Sequence, residues 1–325
     1  MSSRFAGPVG VEKPGILQIG ADPSWDVDAL EQRFTLHRYV DAADRDAFVG
    51  ERAERIRGIA TRGDLGASGD LIAALPNLEI IAIYGVGFDA VDLDTARQRG
   101  IRVTNTPDAL TEDVADLGVA MMLAASRGIV GAEHWVRSGA WSDQGLYPLQ
   151  TRVSGKRAGV LGLGRIGFEV AKRCAAFRMD VAYSDLSERD VPKDWSFVPD
   201  VEALADRSDF LFVTLTGGPA TRHIVNTAVI RALGPTGMLI NISHASTVDE
   251  HALLDALENK ALDFAALDVF EDEPHIDPRF LALDNVLLQP HHASGTIETR
   301  KAMAELVHDN LVAHFEGRDL PTPVL

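Results

Sequence analysis

The apolar residues of this chain fall largely into short runs, and the runs alternate with stretches of helical spacing. Runs at 16–19, near 34–36, and at 56–60, 80–83 and 101–103 read as strands, and 25–33 reads as a helix. Short apolar strands alternating with helices predict a parallel sheet covered on both faces. A turn at 104–107 precedes a longer helix that starts near Thr111, with Thr111 as its cap and Glu112 and Asp113 in its first turn. Val114, Leu117, Gly118 and Met121 recur along it at helical spacing, and Gly128 ends it. A polar, glycine-containing stretch with Trp135 and Trp141 leads to a second series of runs, at 159–161, 181–184, 210–213, 238–242, 264–267 and 286–288. These six match the strand count of a full doubly wound domain. A last helix, 299–315, is expected to return to the first domain, giving two crossings and a cleft between the domains. The expected fold is α/β with two doubly wound parallel sheets, the smaller domain from 1–107 and 296–325 and the larger from 108–295.

With 325 residues, 46% apolar and 24% charged, the chain has room for two domains and a sizeable core and has the composition of a soluble globular protein. Its net charge of −17 argues against nucleic acid and against an anionic membrane as partners. A small anionic ligand would have to be met by local positive groups or main-chain N–H donors. The single cysteine, Cys174, excludes an intramolecular disulfide, and its place on the apolar side of a helix reads as core rather than nucleophile. The segment 1–14 has no apolar centre of a signal peptide, and the longest apolar run, 117–125, is too short to span a bilayer, so a cytoplasmic location is expected.

The larger domain opens on Ala158-Gly-Val-Leu-Gly162-Leu163-Gly164-Arg165-Ile166-Gly167. A strand here runs into glycines spaced G-x-G-x-x-G, and Val170, Ala171, Cys174 and Phe177 continue as a helix. In such a motif the first glycine makes the tight turn, the second lets the backbone approach a pyrophosphate, and the third lets helix and strand pack closely. The helix N-terminus then faces the phosphates. The next strand ends at Asp185, about twenty residues on, where an acid suits a ribose 2′-hydroxyl. This reads as a Rossmann-type dinucleotide-binding domain, and the smaller domain as a flavodoxin-like substrate domain.

Ligands of open α/β sheets bind beyond the carboxyl ends of the strands. His244 follows the fourth strand of this domain, Asp268 ends the fifth with Glu273 just beyond it, and His291 follows the sixth. A carboxylate and a histidine at one sheet edge make a proton-transfer pair, since the carboxylate favours the imidazolium form. Each residue has a plainer reading: Asp268 capping a turn, Glu273 in a solvated acidic run, His291 as a turn residue. A metal site drawn from Glu273, His275, His291 and His292 matches no common ligand spacing, and no metal is expected.

Taken with Gly85-Val-Gly-Phe-Asp89, Gly100-Ile-Arg-Val-Thr-Asn-Thr-Pro107, Leu110-Thr-Glu-Asp-Val-Ala-Asp116, Leu267-Asp-Val-Phe-Glu-Asp-Glu-Pro274 and Pro290-His291, the chain resembles the D-isomer-specific 2-hydroxyacid dehydrogenases over nearly its whole length. It is most similar to the branch that reduces hydroxypyruvate, glyoxylate and hydroxyphenylpyruvate. The resemblance implies an NAD(P)H-dependent reductase of a small 2-oxoacid. His291 is then the acid and base, Glu273 its partner, and the N–H groups of Gly85, Val86 and Gly87 receive the substrate carboxylate. Leu163, Arg165 and Ile166, between the glycines, hold the pyrophosphate, and Asp268 lies by the nicotinamide. It also implies a homodimer, with Trp141 in the segment that reaches the partner's active site.

Two departures stand out. Where the family has Asn-x-x-Arg-Gly, this chain has Asn241-Ile-Ser-His244-Ala245, which replaces a permanent bidentate cation by a shorter group with one directed hydrogen bond. Arg62 and Arg222 are the other cations on offer, a hydrogen bond from His244 to Glu273 is the plain alternative, and a nicotinamide-binding regulatory protein with little turnover is the rival function. Where the nearest branch often has a basic pair after the second strand, this chain has Asp185-Leu186, which favours NAD; Arg189 is the residue that argues for NADP.

Overall fold

The computed structural model describes residues 13–20 and 24–325, so most of the segment read for a signal peptide lies outside the described residues. These residues form two compact units, one running to Ala109 and completed by Ile297–Leu325, the other Leu110–Thr296.

In the first unit β1 (Gly15–Gln18), α1 (Ser24–Arg33), β2 (Thr35–Arg38), α2 (Arg45–Gly50), β3 (Ile56–Arg62), α3 (Gly69–Ala74), β4 (Ile80–Tyr84), α4 (Leu93–Gln98) and β5 (Arg102–Thr104) follow in order. The sheet is parallel in the order β2-β1-β3-β4-β5. β4 is buried along its whole length, as an unbroken apolar run requires. Side-chain caps from Asp44, Ser68 and Asp92 start α2, α3 and α4.

The second unit begins with α5 (Thr111–Ser126), α6 (Ile129–Arg137) and α7 (Ala140–Gln144). Its α/β series is β6 (Arg157–Leu161), α8 (Arg165–Ala176), β7 (Asp180–Ser184), β8 (Ser196–Phe197), α9 (Val201–Asp206), β9 (Phe210–Val213), α10 (Thr227–Leu233), β10 (Met238–Asn241), α11 (Glu250–Glu258), β11 (Phe264–Leu267), α12 (Arg279–Ala282) and β12 (Val286–Leu288). All seven strands pair in parallel, in the order β12-β11-β10-β9-β6-β7-β8. The order reverses between β6 and β9, so the loops after these two strands flank the switch point where ligands of such sheets bind. The chain closes with α13 (Ile297–Phe315), which packs on β4 and α1 of the first unit.

Three elements differ from the sequence reading. The sheet has a seventh strand, β8, whose two residues are too few to leave a periodic signal. Thr111 is the first residue of α5 rather than its cap; buried Leu110 precedes the helix and no side chain caps it. The stretch around Trp135 and Trp141 is helical, split by Gly128 and Gly139, both in the left-handed conformation. α6 buries none of its residues, and its large apolar side chains Ile129, Val130 and Val136 are exposed. Cys174 is fully buried, and burial pushes its thiol up to about 12, consistent with a core role.

Candidate active site

The glycine turn leaves β6 and enters α8 directly. Gly162 has φ +96°, which only glycine adopts easily, and a Cβ on Gly167 would lie 2.0 Å from the Gly162 carbonyl oxygen. A Cβ on Gly164 would meet nothing within 4 Å, so this side of the turn is open to an approaching group. No side chain caps α8, and Thr214 Oγ1 braces the turn by donating to the Gly162 carbonyl at 2.6 Å. An uncapped helix start behind an open glycine is what a pyrophosphate needs, so these residues fit a dinucleotide.

At the end of β7, Asp185 is largely buried. Its Oδ1 accepts from the Leu186 N–H at 2.7 Å and its Oδ2 from Arg189 Nε at 3.0 Å. The loops after β11 and β12 meet. His291 Nδ1 donates to Glu273 Oε2 at 2.6 Å, and the other Glu273 oxygen accepts from the Phe270 N–H at 2.8 Å. His291 has φ +50°, an uncommon conformation for a residue with a Cβ. Asp268 holds this loop in place, its two oxygens accepting from the N–H groups of His292 and Ala293, each at 2.9 Å. Burial pushes the Asp268 carboxyl above the usual carboxylate range, and the two N–H donors pull it back. With its carboxylate buried and both oxygens engaged, Asp268 supports the histidine loop. His292 is taken up by Gln289 at 2.7 Å, and no group of three or more metal-ligating side chains occurs among the described residues.

His244 does not reach Glu273. It opens a short turn, and its Nδ1 accepts from the Ser246 N–H at 3.3 Å and lies 2.9 Å from Ser246 Oγ. With Nδ1 accepting, the neutral ring carries its proton on Nε2. Buried Asn241 anchors the turn by accepting from the Ser243 N–H and hydroxyl. Of the other cations, Arg62 at the end of β3 is bound by both oxygens of Asp64, whereas Arg222 is exposed in the loop after β9. The neighbouring His223 ties that loop to the His244 turn, its N–H donating to the Ser246 carbonyl at 2.7 Å.

In the first unit the Gly85–Gly87 stretch follows β4. The Gly85 N–H is not available to a ligand, because it donates to Thr106 Oγ1 at 3.0 Å. The N–H groups of Val86 and Gly87 have no partner among the described residues, and Asn105 steadies this stretch by donating to the Val86 carbonyl at 2.8 Å. Sequence reasoning missed Thr106, Asn105 and Ser246. Their signal was local: hydroxyl and amide side chains beside a turn hydrogen-bond to nearby backbone.

The family model of the D-isomer specific 2-hydroxyacid dehydrogenase NAD binding domain matches residues 119–293. The chain belongs to this family. It is 45% identical over 316 residues to hydroxyphenylpyruvate reductase of Plectranthus scutellarioides, covering 97% of this chain and all of that one. Among solved structures, a 2-hydroxyacid dehydrogenase from Ketogulonicigenium vulgare Y25 superposes with a TM-score of 0.91 at 63% identity, covering 97% of this chain and 99% of the other. The NADPH-dependent glyoxylate/hydroxypyruvate reductase of Sinorhizobium meliloti, solved with NADP and malonate, superposes with a TM-score of 0.90 at 40% identity, covering 96% and 97%. As a member of this dehydrogenase family the protein is an oxidoreductase, and its larger unit is a nicotinamide-dinucleotide-binding domain.

Proposed function

We propose that the protein reduces a small 2-oxoacid to the D-2-hydroxyacid, with His291 as the proton donor. The observation that carries this reading is the 2.6 Å contact between His291 Nδ1 and Glu273 Oε2. The carboxylate holds the proton on Nδ1, which makes Nε2 the ring atom that exchanges a proton with the substrate oxygen. The nicotinamide dinucleotide, when bound, supplies the hydride. The open glycine turn from Gly162 to Gly167 holds its pyrophosphate, with Leu163, Arg165 and Ile166 around it, and Asp185 serves the ribose hydroxyls of NAD. Val86 and Gly87 offer main-chain N–H groups to the substrate carboxylate. His244 offers a single directed donor, through Nε2, where the family has an arginine. The relatives named for glyoxylate, hydroxypyruvate and hydroxyphenylpyruvate support this substrate class. We also propose a homodimer, supported by exposed apolar side chains on α6 and α7.

The test is oxidation of NADH and NADPH with glyoxylate, hydroxypyruvate, phenylpyruvate and hydroxyphenylpyruvate. At least one acceptor should turn over, and His291→Asn should lower kcat by about 10²–10⁴ while dinucleotide binding is kept. Binding without turnover on any 2-oxoacid would overturn the reading and favour the regulatory alternative that His244 raised.

A further inference from the structure

The two main-chain donors after β4 are held from behind. In a trans peptide the C=O and N–H point in opposite directions within one plane, so a bond to the carbonyl aims the N–H. The Val86 N–H shares its peptide with the Gly85 carbonyl, and the Gly87 N–H shares its peptide with the Val86 carbonyl. Both carbonyls are engaged: that of Gly85 accepts from the Thr106 N–H at 2.9 Å, and that of Val86 from Asn105 Nδ2 at 2.8 Å. The two N–H groups are thereby turned the other way, with no partner among the described residues.

Asn105 is itself fixed by a segment more than two hundred residues further along the chain. Residues 320–325 lie against β5: Pro323 forms an antiparallel bridge with Thr104, and the N–H groups of Val324 and Leu325 share the Val103 carbonyl at 2.7 and 3.2 Å. This seats Thr322 beside Asn105. Thr322 Oγ1 donates to the Asn105 carbonyl at 2.6 Å, and the Thr322 carbonyl accepts from the Asn105 N–H at 3.4 Å. Asn310 of α13 holds the other side of Thr322, its Nδ2 donating to Oγ1 at 2.8 Å and its Oδ1 accepting from the Thr322 N–H at 3.2 Å. A hydroxyl carries one proton, so with Asn310 donating to it that proton goes to Asn105. Asn310 is fully buried and Asn105 nearly so. Away from water such a chain of hydrogen bonds fixes one arrangement, and this one ends on the peptide that carries the Gly87 donor. We propose that Thr322 and Asn310 are positioning residues for the substrate carboxylate, acting through Asn105 on the Gly87 N–H. This rests on the reading of Val86 and Gly87 as carboxylate donors and deepens it. A carboxylate is bound alike before and during hydride transfer, so the effect belongs to KM and not to kcat.

The experiment is steady-state kinetics with NADH and the best 2-oxoacid, beside competitive inhibition by oxalate, a carboxylate that accepts no hydride. Thr322→Val keeps the shape and removes the hydroxyl. It should raise KM for the oxoacid and Ki for oxalate together by about threefold to tenfold, the size of one net hydrogen bond, with kcat and KM for NADH within about twofold. Asn310→Ala cuts the same chain from α13 and should act in the same way, whereas Thr322→Ser keeps the hydroxyl and should hold KM at the wild-type value. Asn105→Ala should raise KM further than either, and Thr322→Val added to it should raise KM no more, because the path is already broken. Unchanged KM in both Thr322→Val and Asn310→Ala would overturn the proposal. So would a loss shared with NADH, or effects of Thr322→Val and Asn105→Ala that multiply. A wild type that turns over no 2-oxoacid would overturn the functional reading itself and this proposal with it, an outcome seen before any variant is made.

Discussion

His244 is held through its own Nδ1, and that fixes what the ring can offer. The Ser246 N–H needs the Nδ1 lone pair, so Nε2–H is the donor left for a substrate. A turn cap and a substrate donor are thus two roles of one ring, and they can be separated. Asparagine at this position reaches a neighbouring N–H two residues on, as such side chains do in turns, but has nothing where Nε2 was. His244→Asn should therefore keep the unfolding temperature and lower kcat/KM for the best 2-oxoacid by roughly 10-fold to 10³-fold, the range for a lost transition-state donor. Steady-state kinetics beside a thermal melt decide it. Unchanged kcat/KM would make His244 a turn residue only, and would move the search for a substrate-binding cation to exposed Arg222. This residue-level detail was only partly legible in the sequence. The replacement of an arginine by His244 was plain from the family resemblance, but the partner was not. Ser246 lies two residues away, and nothing in the spacing distinguished it from Glu273.

At the scale of elements, the loop after β11 is organised from two directions. Glu273 turns one way to His291; Glu271 turns the other, accepting from His223 Nε2 at 3.1 Å while its N–H donates to Glu250 Oε2 at 3.0 Å. Glu250 opens α11 and is half-buried. Burial pushes its carboxyl above the usual range first of all; the Glu271 N–H pulls it down, and the charges of Glu271, Asp277 and Asp272 push it up again. An acid that is harder to charge in the folded chain than in the unfolded one gives stability that is full below its ordinary value and is lost as pH rises through the raised one. Glu250→Gln keeps an oxygen for the Glu271 N–H and removes the charge. It should raise Tm over wild type at pH 7, with the difference shrinking as pH falls toward 4, as differential scanning fluorimetry across that range would read. A lower Tm at pH 7 would mean that the carboxylate is needed as an acceptor more than it is penalised as a charge. The strands around this loop were legible because buried parallel strands such as β9 and β11 are apolar runs. Two-residue β8 and the outward-facing α6 lacked any such pattern, and the first was missed while the second was not read as helix.

For the whole molecule, the net charge of −17 sets two copies against each other at long range. The proposed homodimer would then have to be held by apolar burial, and the second unit presents exposed apolar side chains that fit this. Ile129, Val130 and Val136 on α6, Trp141 on α7, and Leu146 and Leu149 just beyond are all exposed, the last two at 87% and 101%. A concentration of large apolar side chains in one stretch of chain is uncommon on a monomer's surface. The stretch is also braced: Trp135 Nε1 donates to the Gly145 carbonyl at 3.0 Å, and the Trp135 and Tyr147 rings meet edge to face at 5.7 Å. Little ordering is left to be lost when it meets a partner, which favours association. The charge predicts how that association responds to salt. With a Debye length of about 30 Å at 0.01 M and about 8 Å at 0.15 M, repulsion between the copies reaches across the contact only in dilute buffer. Analytical ultracentrifugation should find a dimer at 0.15 M sodium chloride and a weaker one, by an order of magnitude or so, at 0.01 M. Trp141→Ala combined with Leu149→Glu should give a monomer at both, because it removes the largest apolar side chain and adds a buried charge. A dimer that survives the double substitution would move the interface off α6 and α7, and a dimer that weakens as salt rises would mean that paired charges, and not apolar burial, hold it.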